Sequence, residues 1–267
     1  MTAALDLGST VDAFLGAKVE AVQHGGGVHR SGLEAVLLAS AIDDEFAGSL
    51  YDLGSGSGVA GMCVAARAGG ARVALVDRDE QALAAARTAL ARPANRAFAE
   101  RVSVIAADVS DTESGRVASG LGRSVADAVI LNPPFHEAER GTHSPSAARA
   151  GAHVLGSAGL DPWIRTAASI LKPDGRLVVI FSADGLAGLL SALDGRFGGT
   201  AVLAIHPRAS SRAHRILVRA FKGSRARLSI LPGFALHAAT GSSYLPEADA
   251  ILRDGRSLAG VHPAWSD

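Results

Sequence analysis

One cysteine, Cys63, is present among 267 residues. No intrachain disulfide and no cysteine-based zinc cage can form, and a reducing compartment fits. Aromatic residues are scarce, at 4%. No uninterrupted apolar run is long enough to cross a bilayer. Met1 to Gly8 lack the basic stretch and apolar run of a signal peptide, so a soluble cytoplasmic protein is the expectation. Net charge is absent as well: 26 basic residues balance 26 acidic ones. A nucleic-acid partner must therefore be argued from where the charges lie. The chain holds no G-x-x-x-x-G-K-[ST] phosphate loop and no G-x-S-x-G nucleophile elbow. None of the nine histidines has metal-ligand spacing beside a cysteine or carboxylate, so no metal site is expected.

What is present suits a globular protein: 48% hydrophobic and 19% charged residues. The length allows one large α/β domain, or one with a small addition. Ser9-Thr10-Val11-Asp12 and Ser31-Gly32-Leu33-Glu34 read as capping boxes, with Gly25-Gly26-Gly27 between them. They predict helix, loop and helix, an N-terminal helical lid over residues 1–45. Strands and helices then alternate. Strands are expected at 49–53, 72–77, 101–106, 125–131, 176–182, 201–206 and 215–221, with helices at 59–68, 80–91, 161–171 and 186–193. Such alternation argues for a mostly parallel sheet with helices on both faces, here over 46–222. Residues 137–159 form a long Gly/Ala/Ser/His-rich connection, which points to function or mobility. Residues 223–267 read as an extension with two short strands, 227–231 and 234–237, and an irregular end.

Asp52-Leu53-Gly54-Ser55-Gly56-Ser57-Gly58 follows a strand and opens a helix. Glycines there let the backbone turn sharply and approach a ligand. Gly56 to Gly61 also satisfies G-x-G-x-x-G, a weak signal for dinucleotides. Asp52, two residues before Gly54, suits a cationic amine or sulfonium better than a pyrophosphate. Three further strands end in polar residues. Asp77 can accept ribose hydroxyls, and Asp108 an adenine amino group; Arg78 and Val109 follow them. Asn132 lies where a reactive end would sit. In an open parallel sheet these strand ends converge on one crevice. Asp77 and Asp108 could each also be mere helix caps.

Asn132-Pro133-Pro134-Phe135 is the sharpest signal in the chain. The prolines fix the backbone and remove two donors. An exocyclic amine is a poor nucleophile because its lone pair is delocalised. The Asn132 side-chain oxygen and the Pro133 carbonyl can hold its two hydrogens and aim that lone pair, a positional gain. Phe135 can stack on a base, worth roughly 1–3 kcal/mol.

Together these residues resemble class I S-adenosylmethionine-dependent methyltransferases of the Asn-Pro-Pro-aromatic type. Within that group the chain resembles the bacterial tRNA1(Val) adenine-37 N6-methyltransferases. The likeness extends to His29–Ala39, to Arg215-Ile216-Leu217-Val218 and to Phe221-Lys222-Gly223. It implies a Rossmann-like, seven-stranded sheet whose last strand is antiparallel. It implies S-adenosylmethionine as cofactor, bound by Asp52, Gly54, Ser55, Gly56, Gly58, Asp77, Arg78, Asp108, Val109 and Asn132. The implied acceptor is an amino group of an RNA base, adenine N6 in tRNA. Phe135 stands where many adenine enzymes carry tyrosine. Followed by His136, it also resembles the ribosomal RNA guanine N2-methyltransferases. Methylation of a protein glutamine amide is a third possibility. Candidate substrate contacts are His29, Arg30, His136, Arg140, Arg212 and Arg215. No Asp or Glu occurs between Gly195 and Pro246, a stretch with seven arginines and Lys222. That asymmetry predicts a basic face for RNA phosphates. Cys63, on the helix after the glycines, reads as a small core residue.

Overall fold

The structure, a computed structural model, describes residues 9–24, 32–134, 136–137, 154–155 and 159–266. It begins with an antiparallel hairpin of β1 (Ser9–Phe14) and β2 (Val19–His24), where a helix is expected. Asp12, the supposed capping acid, accepts a bond from Gln23 Nε2 across the strands at 2.7 Å. Tertiary docking decides the matter. The Asn95 side chain brackets the Glu20 backbone, accepting from its N–H at 3.0 Å and donating to its carbonyl at 2.7 Å. Val19, Ala21 and Val22 are buried by this docking. The second capping box begins at Ser31, outside the described residues; the helix after it forms.

The elements that follow are α1 (Leu33–Ser40), β3 (Ser49–Leu53), α2 (Val59–Arg67), β4 (Arg72–Asp77), α3 (Glu80–Leu90), α4 (Arg96–Ala99), β5 (Val102–Ala106), α5 (Glu113–Ala118) and β6 (Ala126–Leu131). Then come β7 (His136–Glu137), β8 (Val154–Leu155), α6 (Asp161–Ile170), β9 (Leu171–Ser182), α7 (Leu186–Leu193), β10 (Phe197–Arg208) and β11 (Arg215–Lys222). The chain closes with β12 (Ser229–Ile230), β13 (Phe234–His237), α8 (Pro246–Asp249) and α9 (Leu258–Val261). Most boundaries lie within two residues of those expected. β9 starts earlier because Lys172 to Gly175 bulge between the pairings Ala126–Leu171 and Ala128–Arg176.

The main sheet runs β12-β10-β11-β9-β6-β3-β4-β5, and β13 also pairs with β10. The seven expected strands are therefore joined by two short ones, making nine. β11 is antiparallel to both neighbours, β9 and β10. β3, β4, β5, β6 and β9 pair in parallel, so their carboxyl ends share one edge. An antiparallel strand inserted this way sets the sheet apart from an all-parallel dinucleotide fold.

Successive residues of a strand point to opposite faces. Ala128 and Ile130 of β6 enter one apolar cluster with α1, α2 and α3; Val129 and Leu131 enter the other with α6 and α7. The C-terminal end is more ordered than expected. Trp265 is wholly buried and donates from Nε1 to the Ala41 carbonyl at 3.1 Å. The Arg219 guanidinium lies 5.1 Å from its ring centroid and donates to its carbonyl.

The basic stretch does not form a single face. β10 and β11 run in opposite directions, so Arg208, Arg212 and Arg215 gather at the edge where the parallel strands end, and Arg196 and Lys222 at the other. At about 3.4 Å per residue, Arg215 and Lys222 stand roughly 24 Å apart along β11. Arg219, between them, is buried.

Candidate functional site

The registers place the expected residues in one row. Leu53 of β3 lies opposite Val76 of β4 and Leu131 of β6. The next residues on those strands are Gly54, Asp77 and Asn132. Asp77 lies opposite Ala106, two residues before Asp108. The row along the carboxyl edge is therefore Asn132, Gly54, Asp77, Asp108. With strands about 4.8 Å apart, it spans roughly 14 Å.

The glycine loop turns at the middle of this row. The amides of Gly54 and Ser55 both donate to the Val76 carbonyl, at 2.8 and 2.9 Å. Gly54, Gly56 and Gly58 all have left-handed backbones, with φ of 70°, 54° and 83°. Two of them are also pressed by neighbours. A Cβ at Gly54 would lie 2.6 Å from the Trp163 ring, and one at Gly58 would lie 2.5 Å from Leu75 Cδ1. Gly58→Ala combines a left-handed alanine with a clash against a buried leucine. We expect a loss of about 2–4 kcal/mol in urea unfolding, together with lost cofactor affinity.

Asp77 locks the loop from the side. Its Oδ2 accepts from the Gly56 amide at 2.7 Å and its Oδ1 from the Asp79 amide at 2.9 Å. Asp108 carries Ser110 on one oxygen, through the amide at 2.8 Å and the hydroxyl at 2.6 Å, and Arg78 on the other at 3.3 Å. Burial alone would raise the Asp108 carboxyl. The Ser110 bonds and Arg78 outweigh it and hold the group below the usual range, ionised and able to accept. Next to it, the Val109 carbonyl is tied to α6 by the Thr166 hydroxyl at 2.7 Å.

Asp52 lies beneath the loop and is 2% exposed, where its Oδ2 accepts from the Gly61 amide at 2.9 Å. The carboxylate thus anchors the first turn of α2. Burial pushes its pKa up to about 7, against the lowering effect of the Gly61 bond. A carboxyl with a raised native pKa binds its proton in the folded chain while the unfolded chain has lost it. Stability therefore falls as pH rises from about 4 to about 7 and levels off above. Asp52→Asn keeps an acceptor for Gly61 and removes this slope. Chemical unfolding at pH 5 and 8 should show the variant gaining on the parent at the higher pH, by about 2–3 kcal/mol. An equal pH slope in both proteins would refute this.

Two buried oxygens at the row lack partners: Asn132 Oδ1 and Ser55 Oγ accept or donate no hydrogen bond. Unsatisfied buried polar atoms are rare and call for a ligand or water. Asn132 follows β6 directly, and Pro133 behind it is buried. The site thus provides a bent glycine loop with space beside Gly56, two carboxylates at neighbouring strand ends, and two orphaned oxygens. These features fit S-adenosylmethionine.

Other expected residues stand apart. Phe135, His29, Arg30 and Arg140 lie outside the described residues. So does the side chain of His136, whose backbone pairs with Val154. Pro134 is half-buried beside Pro133. Arg212 is exposed on the loop between β10 and β11. Arg215 bonds Glu34 at 2.6 Å, which ties β11 to α1. Trp163 was not anticipated. It contacts the loop only because α6 packs across the strand ends, and its helical position carried no local signal. Burial pushes the Cys63 thiol up to about 12, as for a core residue.

A solved structure shares this architecture, and curated proteins resemble the chain in sequence. The crystal structure of a predicted O-methyltransferase from Agrobacterium tumefaciens superposes with a TM-score of 0.72 at 37% identity, covering 84% of this chain and 96% of that one. A tRNA1(Val) (adenine(37)-N6)-methyltransferase from Porphyromonas gingivalis is 30% identical over 164 residues, 60% of this chain. The match spans 61% of the length of that relative. The ribosomal RNA small subunit methyltransferase C of Actinobacillus succinogenes is 34% identical over 170 residues, 63% of this chain and 41% of its own. The family model of the methyltransferase small domain matches residues 33–208, from α1 through the glycine loop and Asn-Pro-Pro to the end of β10, and the chain belongs to that family.

Proposed function

We propose that the protein is an S-adenosylmethionine-dependent N-methyltransferase acting on an exocyclic amino group of an RNA base, adenine N6 in tRNA. The observation that carries this reading is Asn132 Oδ1, buried and unpartnered, one strand from the glycine loop. An acceptor held there receives one amine hydrogen. The rigid Pro133 turn presents a carbonyl for the other. Together they aim the nitrogen lone pair and remove much of the entropic barrier. S-adenosylmethionine supplies an electrophilic methyl, so that an N–C bond forms as the S–C bond breaks. The methylated nitrogen is acidic and loses its extra proton to solvent, and no strong base need stand beside it.

That last point separates nitrogen from oxygen acceptors. A hydroxyl acceptor needs its proton removed in the transition state. The raised carboxyl of Asp52 lies under the loop on Gly61, not beside Asn132. The substrate reading draws on the tRNA adenine relative and on the exposed Arg212 at the crevice edge. An unpaired base is extruded at low cost. Guanine N2 of ribosomal RNA is the second reading, favoured by Phe135-His136 and by the rRNA relative. No described helix is long and apolar enough to cross a membrane, in keeping with a cytoplasmic RNA enzyme.

The test is product analysis after incubation with labelled S-adenosylmethionine and total RNA. Label in N6-methyladenosine of tRNA is expected. Label in N2-methylguanosine would move the substrate to the second reading. Label in an O-methylated nucleoside, in protein, or nowhere would overturn the amine mechanism on RNA.

A further inference from the structure

A groove apart from the crevice has a volume of about 680 Å³ and lies between α5 and α6, reaching the opposite edge of the sheet. Five cations line it: Arg116, Arg123, Arg165, Arg196 and Lys222. Only two carboxylates do, Asp111 and Glu113. These cations come from five separate places in the fold. Arg116 is on α5, Arg123 precedes β6, Arg165 is on α6, Arg196 precedes β10 and Lys222 ends β11. Folding has thus gathered positive charge from segments spread over about a hundred residues of chain.

The groove is built as well as charged. Arg116 is 6% exposed and donates to the Asp111 carbonyl at 2.5 Å. Lys222 donates to the Leu171 carbonyl at 2.5 Å. Arg196 is held by Asp161 at 2.9 Å, and Arg123 by Glu113. Arg165 reaches Asp161 only at 3.7 Å. The hydroxyls of Ser124 and Ser169 add donors. Burial, and then the charge of Arg123, lower the Lys222 ammonium, so the cations crowd one another. An anion among them relieves that repulsion.

We infer that this groove is a second RNA contact, binding backbone phosphates of the substrate at the edge of the sheet opposite the methyl-transfer crevice. The inference rests on the RNA reading above. It divides the work: the crevice takes the base, and the groove takes phosphates far from it. Ser110 lines the groove and also bonds Asp108, so the groove starts behind the adenine side of the crevice and runs away from Asn132. Its charged side chains carry no base-reading aromatic, so it positions RNA without reading sequence.

The test is binding of total tRNA to the full chain, followed by filter retention at several salt concentrations. Arg123→Gln with Arg165→Gln removes two exposed cations without touching the crevice. Affinity should fall about ten- to thirtyfold at 0.1 M salt, and the salt slope should drop by one to two. Glu113→Gln removes an acid from the same wall and should tighten binding. S-adenosylmethionine affinity, read by calorimetry, should not move in either variant. If the parent binds tRNA and both variants match it in affinity and slope, the groove is refuted and the RNA reading survives. If the parent itself binds no RNA, both fall. If inorganic phosphate at low millimolar concentration displaces tRNA from the parent only, the contact is to phosphates in this groove; equal displacement from the double variant refutes it.

Discussion

Asn132→Ala lowers kcat by about 10²–10³-fold while leaving the Kd for S-adenosylmethionine nearly unchanged. The magnitude is that of losing one preorganised hydrogen-bonding group aimed at a reacting atom, about 3–4 kcal/mol. The split follows from position. Asn132 stands at one end of the strand-end row, and Asp77 and Asp108, the proposed nucleoside contacts, stand at the other. Alanine there removes a buried oxygen that has no protein partner, so nothing in the fold is left unpaired. Stability should therefore change little, which makes the kinetic loss interpretable. Single-turnover methyl transfer with calorimetry on the same preparation reads both quantities. A variant with parental kcat would remove Asn132 from the chemistry. A variant that no longer binds cofactor would make it a cofactor ligand instead.

Arg67→Ala costs about 3–5 kcal/mol of stability and lowers Tm by roughly 5–9 °C. Arg67 closes α2 and is only 6% exposed. Its guanidinium donates to three carbonyls, Gly255 at 2.7 Å, Ala39 at 2.8 Å and Ile42 at 2.9 Å, and to Asp44 at 2.6 Å. One side chain thus joins the end of α1, the following turn and the C-terminal segment. Removing it strands carbonyls that water reaches poorly, and the penalty for each is paid in the folded state alone. Asp44→Asn is the control. Asp44 is 42% exposed, so loss of that ion pair should cost less than about 1 kcal/mol. Equal costs for the two variants in urea unfolding would show that the ion pair, and not the carbonyl clamp, is what matters.

The α/β core was legible because its signals are local. Near-continuous apolar runs in β4 and β6 announce buried parallel strands, and the glycines after Leu53 announce a tight turn into a helix. α3 starts where expected, capped by Asp79, which accepts from the Gln81 amide. Residues 9–24 misled for a physical reason. Ser9 and Asp12 have the spacing of a cap, yet a cap matters only if the following turn finds a helical environment. Docking of Glu20 onto Asn95, 75 residues away, favours strands instead. The irregular tail was misjudged likewise, since Trp265 settles it by packing under Arg219 and Ala41. α5 passed unseen because six residues carry too little periodicity.

Sequence alone determined the chemistry on offer: a glycine turn after a strand, acids at the next two strand ends, and a rigid Asn-Pro-Pro with free acceptors. Those properties belong to residue types and to short spacings, which need no partner from elsewhere in the chain. Only the tertiary structure decided which cations act together. β10 and β11 are antiparallel, so neighbours in sequence such as Arg215 and Lys222 part to opposite edges. Arg116, Arg123, Arg165 and Arg196, scattered along the chain, meet Lys222 in one groove. Charge acts through space, and only the sheet order sets that space.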